Sequence, residues 1–293
     1  MTGNGTPGAS GIGYCIFTFE GGDWTRDDFD GLSRGFDLAA ELGYGYVEVP
    51  SLVYSAGPPR TDSQFLHRLG RVFDLAERHG VPLSAIFAAA ALLDPDTRET
   101  EIDQLTVLAR LVSTAGVKHL PVTLSMGSTP PGTDDASELG RIVSEVGRQT
   151  DSAGVRLAVH PHIDCPVETP EQIEAFFAAA DPETVGMCLD TGHVQAGGGD
   201  PVAIAKRYAD RICYVHLKDV DMSAYRQATG RERYKAFRDP GQGDVDFRGV
   251  MGALRDRGYQ GPVLAENDLS PDPATSMADA MSYLQRELSA EGS

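Results

Sequence analysis

Residues 138–160 read ELGRIVSEVGRQTDSAGVRLAVH, and this stretch joins an amphipathic helical pattern to a short apolar run through a single glycine. The first part, up to Gly154, carries apolar residues at helical spacing, and the last part, VRLAVH, has the length and composition of a buried strand. A glycine just past the last helical turn is a common helix end. The stretch therefore predicts the helix-glycine-strand unit of an α/β protein.

The same unit recurs along the chain. Helical patterns also end at Gly43 and Gly80. Eight runs have the composition of strands, over residues 13–19, 44–50, 81–87, 118–124, 155–160, 185–190, 212–217 and 262–266. Eight strand-helix units without a Pro-rich or Ser-rich linker predict a single-domain (β/α)8 TIM barrel. A doubly wound open sheet is the alternative, but EGGDWT, which follows the first strand, is not the glycine fingerprint of that fold.

Domain limits and one long loop follow from this pattern. We expect a disordered N-terminal tail over residues 1–12 and the barrel over residues 13–290. The longest loop, residues 221–247, follows the seventh strand and carries five basic residues. On a barrel, such a loop lies over the active-site face and can act as a lid.

Composition excludes several classes of protein. The 293 residues include 25 Lys and Arg against 43 Asp and Glu, a net charge of −18, which argues against nucleic acid as a partner. Hydrophobic residues make up 41% of the chain, as in a globular protein, but no apolar run is long enough to span a membrane. The N-terminus has no signal-peptide pattern, and the four cysteines are far apart, as expected of reduced core thiols. We expect a cytoplasmic protein without a membrane partner.

Histidines and acids cluster at predicted strand ends. Of the seven histidines, His160, His162, His193 and His216 lie at or just past the ends of the fifth, sixth and seventh strands. Side chains at the carboxyl ends of barrel strands converge on one mouth, so His160, Asp190, His216 and Glu266 are expected neighbours. A mixed set of imidazole and carboxylate ligands suits Mn²⁺, Co²⁺, Fe²⁺ or Zn²⁺. The other three histidines, His67, His79 and His119, are interpreted as surface or structural residues.

Six segments carry a resemblance to a known family. They are VRLAVHPHID (155–164), VETPEQIE (167–174), GMCLDTGHVQAGGGDP (186–201), RICYVHLKDVD (211–221), PGQGDVDF (240–247) and GYQGPVLAENDLSP (258–271). In this order they resemble the xylose isomerase-like sugar isomerase/epimerase superfamily, and within it the inosose (2-keto-myo-inositol) dehydratase branch. The resemblance is specific from about residue 155 to residue 273 and general before that.

The resemblance implies a divalent metal held at the ends of strands five to eight. The matching positions are His160, Asp190, His216 and Glu266. The family usually has an acid at the first of these positions, and H-P-H here resembles the His-x-His of the dehydratase-like branch. This difference argues against the simple ketose epimerases, which use two glutamates. A second difference is Ile163-Asp164-Cys165, where the branch usually reads x-Gly-Thr, and it suggests a substrate pocket of its own.

The predicted chemistry is removal of a proton next to a carbonyl group. A metal stabilises the enediolate that results, and a base must lie within hydrogen-bond reach of the C–H. The candidates for acid and base are Glu266, His162 and His193. Candidate substrate-binding residues are Lys218, Glu168 and Glu48. For these three the alternatives are a salt-bridged barrel residue, a charge at a helix N-terminus and a wall residue, and strand alternation is taken to point Lys218 away from the barrel axis.

The sequence thus predicts a metal-dependent lyase of dehydratase type acting on a keto-cyclitol or keto-sugar. An isomerase/epimerase or a β-eliminating lyase on a 3-keto-glycoside would share the first half of the reaction. A non-catalytic sugar-binding barrel and a barrel endonuclease are further alternatives, and the acidic charge argues against the latter. The expected cofactor is Mn²⁺ or Co²⁺, with Mg²⁺, Fe²⁺ or Zn²⁺ as alternatives. The expected partner is a small molecule, and a homo-oligomer is compatible with the sequence.

Overall fold

A computed structural model of the chain describes residues 11–20, 29–50, 63–124 and 133–289. Its strands are β1 (Gly13–Cys15), β2 (Tyr46–Val49), β3 (Leu83–Ile86), β4 (Ala88–Ala90), β5 (His119–Leu124), β6 (Arg156–Val159), β7 (Val185–Asp190), β8 (Ile212–Leu217), β9 (Asp219–Val220), β10 (Phe237–Arg238) and β11 (Val263–Ala265). Its α-helices are α1 (Phe29–Leu42), α2 (Ser63–His79), α3 (Arg98–Ser113), α4 (Thr133–Asp151), α5 (Pro170–Ala179), α6 (Thr191–Ala196), α7 (Pro201–Arg207), α8 (Met222–Gln227), α9 (Phe247–Asp256) and α10 (Pro273–Ser289).

The strands form a parallel barrel with helices between them. The order of hydrogen-bonded neighbours is β3-β2-β1-β11-β8-β7-β6-β5-β4. Since β3 and β4 are consecutive pieces of chain separated only by Phe87, they form one broken strand, and the barrel has eight strand positions. The predicted single-domain (β/α)8 fold is confirmed. The third strand differs from its prediction, because it runs past residue 87 after the break.

The unit around Gly154 forms as predicted. Helix α4 buries Leu139, Val143 and Val146 on one face, and Gly154 has a φ of 73°, in the left-handed region that favours glycine. The N–H group of Val155 bonds back to the carbonyl oxygen of Thr150, and β6 begins at the next residue. The sequence therefore encodes both the end of the helix and the start of the strand that leads to the predicted site.

The long loop between β8 and α9 has structure of its own. It contains α8 and a 3-10 helix, Gly230–Ala236. Strands β9 and β10 pair antiparallel, with Phe237 opposite Val220. The buried Asp219 accepts hydrogen bonds from four backbone N–H groups of this region, those of Val220, Gly241, Gly243 and Val245, at 2.8 to 3.0 Å. The loop is therefore fastened to the barrel at the end of β8.

The N-terminal tail, the cysteines and the helices bear on three further expectations. The disordered tail over residues 1–12 stays a prediction, because residues 1–10 lie outside the described part of the chain. The four cysteines are all free thiols, three of them buried and Cys213 half-buried. Within the described ranges, none of the helices is both long and apolar enough to cross a bilayer.

Candidate metal centre

The structure brings the four predicted ligands together at the carboxyl ends of the strands. His160 follows β6, Asp190 ends β7, His216 lies near the end of β8 and Glu266 follows β11. One ligand atom from each of the four side chains lies within 4.8 Å of the others, and all four residues are buried. Because the strands are parallel, residues far apart in sequence share this mouth, which can hold a metal ion.

Asp190, the first residue of the motif D-T-G-H, uses its two carboxylate oxygens in different ways. Its Oδ1 accepts a hydrogen bond from the backbone N–H of His193 at 2.7 Å and so caps the N-terminus of α6. Its Oδ2 remains directed to the cluster, 3.3 Å from Nε2 of His160. Gly192 is required beside it, since a Cβ there would lie 2.9 Å from Cγ of Lys218. The short turn after β7 therefore fixes both the carboxylate and the packing around it.

Two buried atoms of the cluster are left without a hydrogen bond. Nδ1 of His216 and Oε2 of Glu266 lie 2.8 Å apart as an ion pair, with Oδ2 of Asp190 3.9 Å from the same Nδ1, and neither atom makes a hydrogen bond. Burial opposes a charge on His216, but Cys188, Glu266 and Glu48 outweigh it and hold the pKa of His216 well above its ordinary value. The cluster therefore attracts positive charge at this point. A divalent cation held by these two side chains would pair with both atoms, so the residues present fit a metal.

Glu48 reaches the cluster from β2, on the far side of His216. Its carboxylate lies 3.2 Å from Nε2 of His216 and accepts a hydrogen bond from the thiol of Cys15 at 3.4 Å. A proton on Nε2 leaves Nδ1 free to face Glu266 as a ligand. In this structure Glu48 is fully buried, and its contacts are with a predicted ligand.

His162 and His193 form a close pair beside the four ligands, with ring centroids 3.7 Å apart and ring planes tilted by 34°. Nδ1 of His162 lies 2.5 Å from the carbonyl oxygen of Ile163, which places the proton on Nδ1 and the lone pair on Nε2. Burial lowers the pKa of His162 to about 3, with His160 and Lys218 adding to the effect. Burial, His162 and Lys218 also hold the pKa of His193 well below its ordinary value. Both rings are therefore neutral near pH 7.

Lys218 lies inside the site, which corrects the expectation that it points away from the axis. Lys218 is two residues beyond His216, and residues two apart on an extended chain share a face. Its Nζ lies 2.8 Å from Asp268, 3.0 Å from Glu266 and 3.5 Å from Asp190. Burial alone would lower the pKa of Lys218, but these three carboxylates outweigh it and raise the pKa well above its ordinary value. The ammonium group is therefore charged, and it also lies 3.2 Å from Nε2 of His193.

Glu168, the third predicted substrate-binding residue, is half-buried and contacts a neighbouring loop. It precedes Thr169, the N-cap of α5, and its Oε2 accepts a hydrogen bond from the backbone N–H of Asp164. Asp164 has a φ of 59°, unusual for a residue with a side chain. Its carboxylate binds Arg233 at 2.5 Å and Tyr234 at 3.3 Å, both in the 3-10 helix of the long loop. The departure at Ile163-Asp164-Cys165 thus ties this loop to the segment that carries His162.

Several residues of the site were missed by sequence reasoning. Asp268 ion-pairs with Lys218, Thr123 lies 3.3 Å from Nδ1 of His160, and Phe237 packs on His193 with ring centroids 4.6 Å apart. Phe87, at the break in the third strand, packs edge-on against His160. Asp268 had a usable signal, because it lies two residues after Glu266 in the segment AEND. The other three depend on how the barrel closes.

Sequence comparison places the chain in a protein family whose fold is the one described. Residues 36–287 match the model of the xylose isomerase-like TIM barrel family, and the chain belongs to that family. It is 31% identical to an inosose dehydratase of Lacticaseibacillus casei, over 88% of this chain and 91% of the relative. It is 36% identical to the rhizopine catabolism protein MocC of Rhizobium meliloti, over 86% of this chain and 81% of the relative.

A solved structure shares the fold at lower identity. The crystal structure of the IOLI protein with a binding zinc atom superposes with a TM-score of 0.73 and 18% identity, over 96% of this chain and 99% of that chain. The predicted superfamily is confirmed. Together with the family, the named relatives support an enzyme of the dehydratase type or of the isomerase/epimerase type.

Proposed function

We propose that the protein is a divalent-metal-dependent dehydratase that acts on a keto-cyclitol or keto-sugar by removing a proton next to the carbonyl group. The observation that carries the proposal is the cluster of four buried ligand side chains with two atoms that make no hydrogen bond, Nδ1 of His216 and Oε2 of Glu266, 2.8 Å apart. The inosose dehydratases among the relatives support the class of substrate. His160 at the strand-five position, where the family usually has an acid, favours dehydration over simple epimerisation.

His160, Asp190, His216 and Glu266 would hold the ion. An ion with borderline preference suits two imidazoles and two carboxylates, so Mn²⁺ or Co²⁺ is the proposed cofactor. When bound, it supplies positive charge that makes the C–H next to a carbonyl more acidic. Glu48 would act as a positioning residue, because it fixes the His216 ring through Nε2.

The two remaining histidines have complementary hydrogen-bonding states. Since Nζ of Lys218 can only donate, Nε2 of His193 accepts and Nδ1 carries the proton; that Nδ1 is buried without a partner. His193 would therefore donate its Nδ1 proton to the hydroxyl group that leaves, while Nε2 takes a proton from the ammonium group of Lys218. His162 presents the free lone pair on Nε2 and would accept the proton from carbon. Glu266 is less available as the base, because its two oxygens lie against Lys218 and His216.

The substrate lies in a site that the long loop partly covers. Tyr234 of the 3-10 helix packs near His162 with ring centroids 6.0 Å apart, and Phe237 packs on His193. Exclusion of water strengthens each electrostatic contact and protects the carbanion-like intermediate from unwanted protonation. Asp164, through Arg233 and Tyr234, would hold this cover in place.

Metal analysis and proton NMR in D₂O test the proposal directly. The purified protein should contain, or bind, one divalent ion per chain, and a keto-cyclitol should exchange one C–H for deuterium before or during loss of water. Asp190→Asn should lose both the ion and turnover, whereas Asp210→Asn, at an exposed position, should keep both. Deuterium exchange without loss of water would indicate an isomerase/epimerase, and release of an aglycone from a 3-keto-glycoside would indicate β-elimination. A fully active, metal-free Asp190→Asn protein would refute the proposal.

A further inference from the structure

A thiol lies directly beneath the proposed metal ligands. Cys188 is two residues before Asp190 on β7, so both side chains point into the barrel. Cys188 is fully buried in an inner layer with Ala85, Ala158, Tyr214 and Leu264. One ligand atom each from His160, Cys188 and His216 lies within 4.8 Å of the others. Two of the four proposed ligands therefore also belong to a second set that contains sulfur.

The other three cysteines differ from Cys188 in their surroundings. Cys15 donates to Glu48, Cys165 lies 3.7 Å from Nδ1 of His162, and Cys213 donates to the carbonyl oxygen of Met187. Among the described residues, none of these three shares a ligand set with two further metal-binding side chains. A buried cysteine usually acts as a small apolar residue, but one placed against two imidazoles has the composition of a soft-metal site.

We propose that His160, Cys188 and His216 form a second ion position, deeper in the barrel, that takes a soft divalent ion such as Cd²⁺. Binding breaks the S–H bond of Cys188, releases its proton to solvent and forms a sulfur-metal bond with no change in oxidation state. Thiolate sulfur favours soft ions, whereas the carboxylates of Asp190 and Glu266 favour harder ions such as Mn²⁺. The two positions therefore differ in the ions that they select.

The two positions compete, because they share His160 and His216 and a neutral imidazole has one lone pair to give to a metal ion. A soft ion in the deeper position would leave Asp190 and Glu266 without the two imidazoles that complete their set. Cd²⁺ should therefore displace Mn²⁺ one for one and inhibit turnover. The expected inhibition depends on the proposed function, whereas binding of Cd²⁺ at the deeper position does not.

Titration of the metal-free full-length chain with Cd²⁺ tests the deeper position. The wild-type protein should show ultraviolet thiolate-to-cadmium charge-transfer absorption that saturates at one ion per chain. Cys188→Ser should lose this absorption and bind Cd²⁺ at least about tenfold more weakly, since loss even of an outer partner of a ligand costs about 10- to 100-fold in affinity. Cys213→Ser is the control, because its thiol donates to a backbone carbonyl oxygen, that of Met187, and it should keep the absorption.

Measurements on the wild-type protein test the inference even if Cys188→Ser fails to fold. The ¹¹³Cd NMR shift of the wild-type complex should report one sulfur ligand, and Mn²⁺ electron paramagnetic resonance should show free Mn²⁺ appearing as Cd²⁺ is added. The inference is overturned if Cd²⁺ binds without a sulfur signal, if the signal survives in Cys188→Ser, or if both ions bind together. Mn²⁺-dependent turnover without any cadmium-sulfur signal would overturn this inference alone, whereas a chain that binds neither ion would overturn the proposed function as well.

Discussion

Replacing Lys218 with Met is the most informative test of how charge is balanced in the site. Methionine keeps a long, unbranched side chain but removes an ammonium group that lies 2.8 Å from Asp268, 3.0 Å from Glu266 and 3.5 Å from Asp190. Lys218 is almost completely buried, so water cannot replace the lost charge. The variant therefore leaves three carboxylates close together without their shared cation.

The expected loss of stability is large in the metal-free protein. Opposite charges 3 Å apart attract by roughly 5 kcal/mol at an effective dielectric constant of about 20. Desolvation of the ammonium group offsets several kcal/mol of that attraction, and removal of one partner of a buried ion pair typically costs about 3–5 kcal/mol. We expect Lys218→Met to lower the free energy of unfolding by an amount in this range. Saturating Mn²⁺ should reduce the loss, because the ion supplies positive charge to the same carboxylates.

Urea unfolding in a chelator and in saturating Mn²⁺ measures both effects. Lys235→Met is the control: Lys235 pairs with Glu232 on the surface, where both side chains are about two-thirds exposed, and its loss should cost less than about 1 kcal/mol. A loss below about 1 kcal/mol for Lys218→Met in chelator would refute the ion-pair argument. An equal loss with and without Mn²⁺ would refute the idea that the ion and the ammonium group stabilise the same carboxylates.

Three further predictions follow from single residues. Glu48→Gln should weaken Mn²⁺ binding by about 10- to 100-fold, because Glu48 holds Nε2 of His216; isothermal titration calorimetry would contradict this with a change below about threefold. Burial and Arg156 lower the pKa of His119 from 6.5 to about 4 in the folded chain. The unfolded chain therefore binds more protons below pH 6.5, so that stability present above pH 6.5 is lost as the pH falls toward 4. Between pH 7 and pH 5 this amounts to roughly 2 kcal/mol, and urea unfolding of His119→Gln should lack that part of the pH dependence; identical profiles for both chains would contradict the assignment. Asp219→Ala should cost about 3 kcal/mol or more by thermal or urea unfolding, because four backbone N–H groups lose their acceptor, and a cost below about 1 kcal/mol would contradict that role.

The barrel could be predicted from the sequence because each unit carries local signals. The helix before Gly154 and the strand after it are both visible in residues 138–160, and the same holds at Gly43 and Gly80. The break at Phe87 could not be predicted, because residues 85–92 read AIFAAAAL and a uniformly apolar run gives no period from which to locate an interruption. Only closure of the sheet decides that β3 pairs with β2 and β4 with β5.

The site residues that could be predicted from the sequence are those that lie at the end of a strand. Asp190, His216 and Glu266 each lie at such an end, and parallel strands bring such ends together whatever the loops do. The predicted direction of Lys218 is wrong, because its spacing of two residues from His216 places both side chains on the same face. The contact of Asp164 with Arg233 joins residues 69 positions apart through a loop, and no local pattern encodes such a contact.

The presence of Lys218 in the site explains why a histidine, His160, and not an acid lies at the strand-five position. A third carboxylate there would add negative charge to a cluster in which Asp190 and Glu266 already match a divalent ion. With an imidazole at this position, the two carboxylates balance the ion, and Lys218 is balanced by Asp268, 2.8 Å away. A divalent ion bound by two carboxylates polarises a substrate carbonyl group more strongly than a divalent ion bound by three carboxylates. The substitution of imidazole for carboxylate and the buried Lys218–Asp268 pair are therefore two parts of one charge balance, and it is this balance that Lys218→Met disturbs.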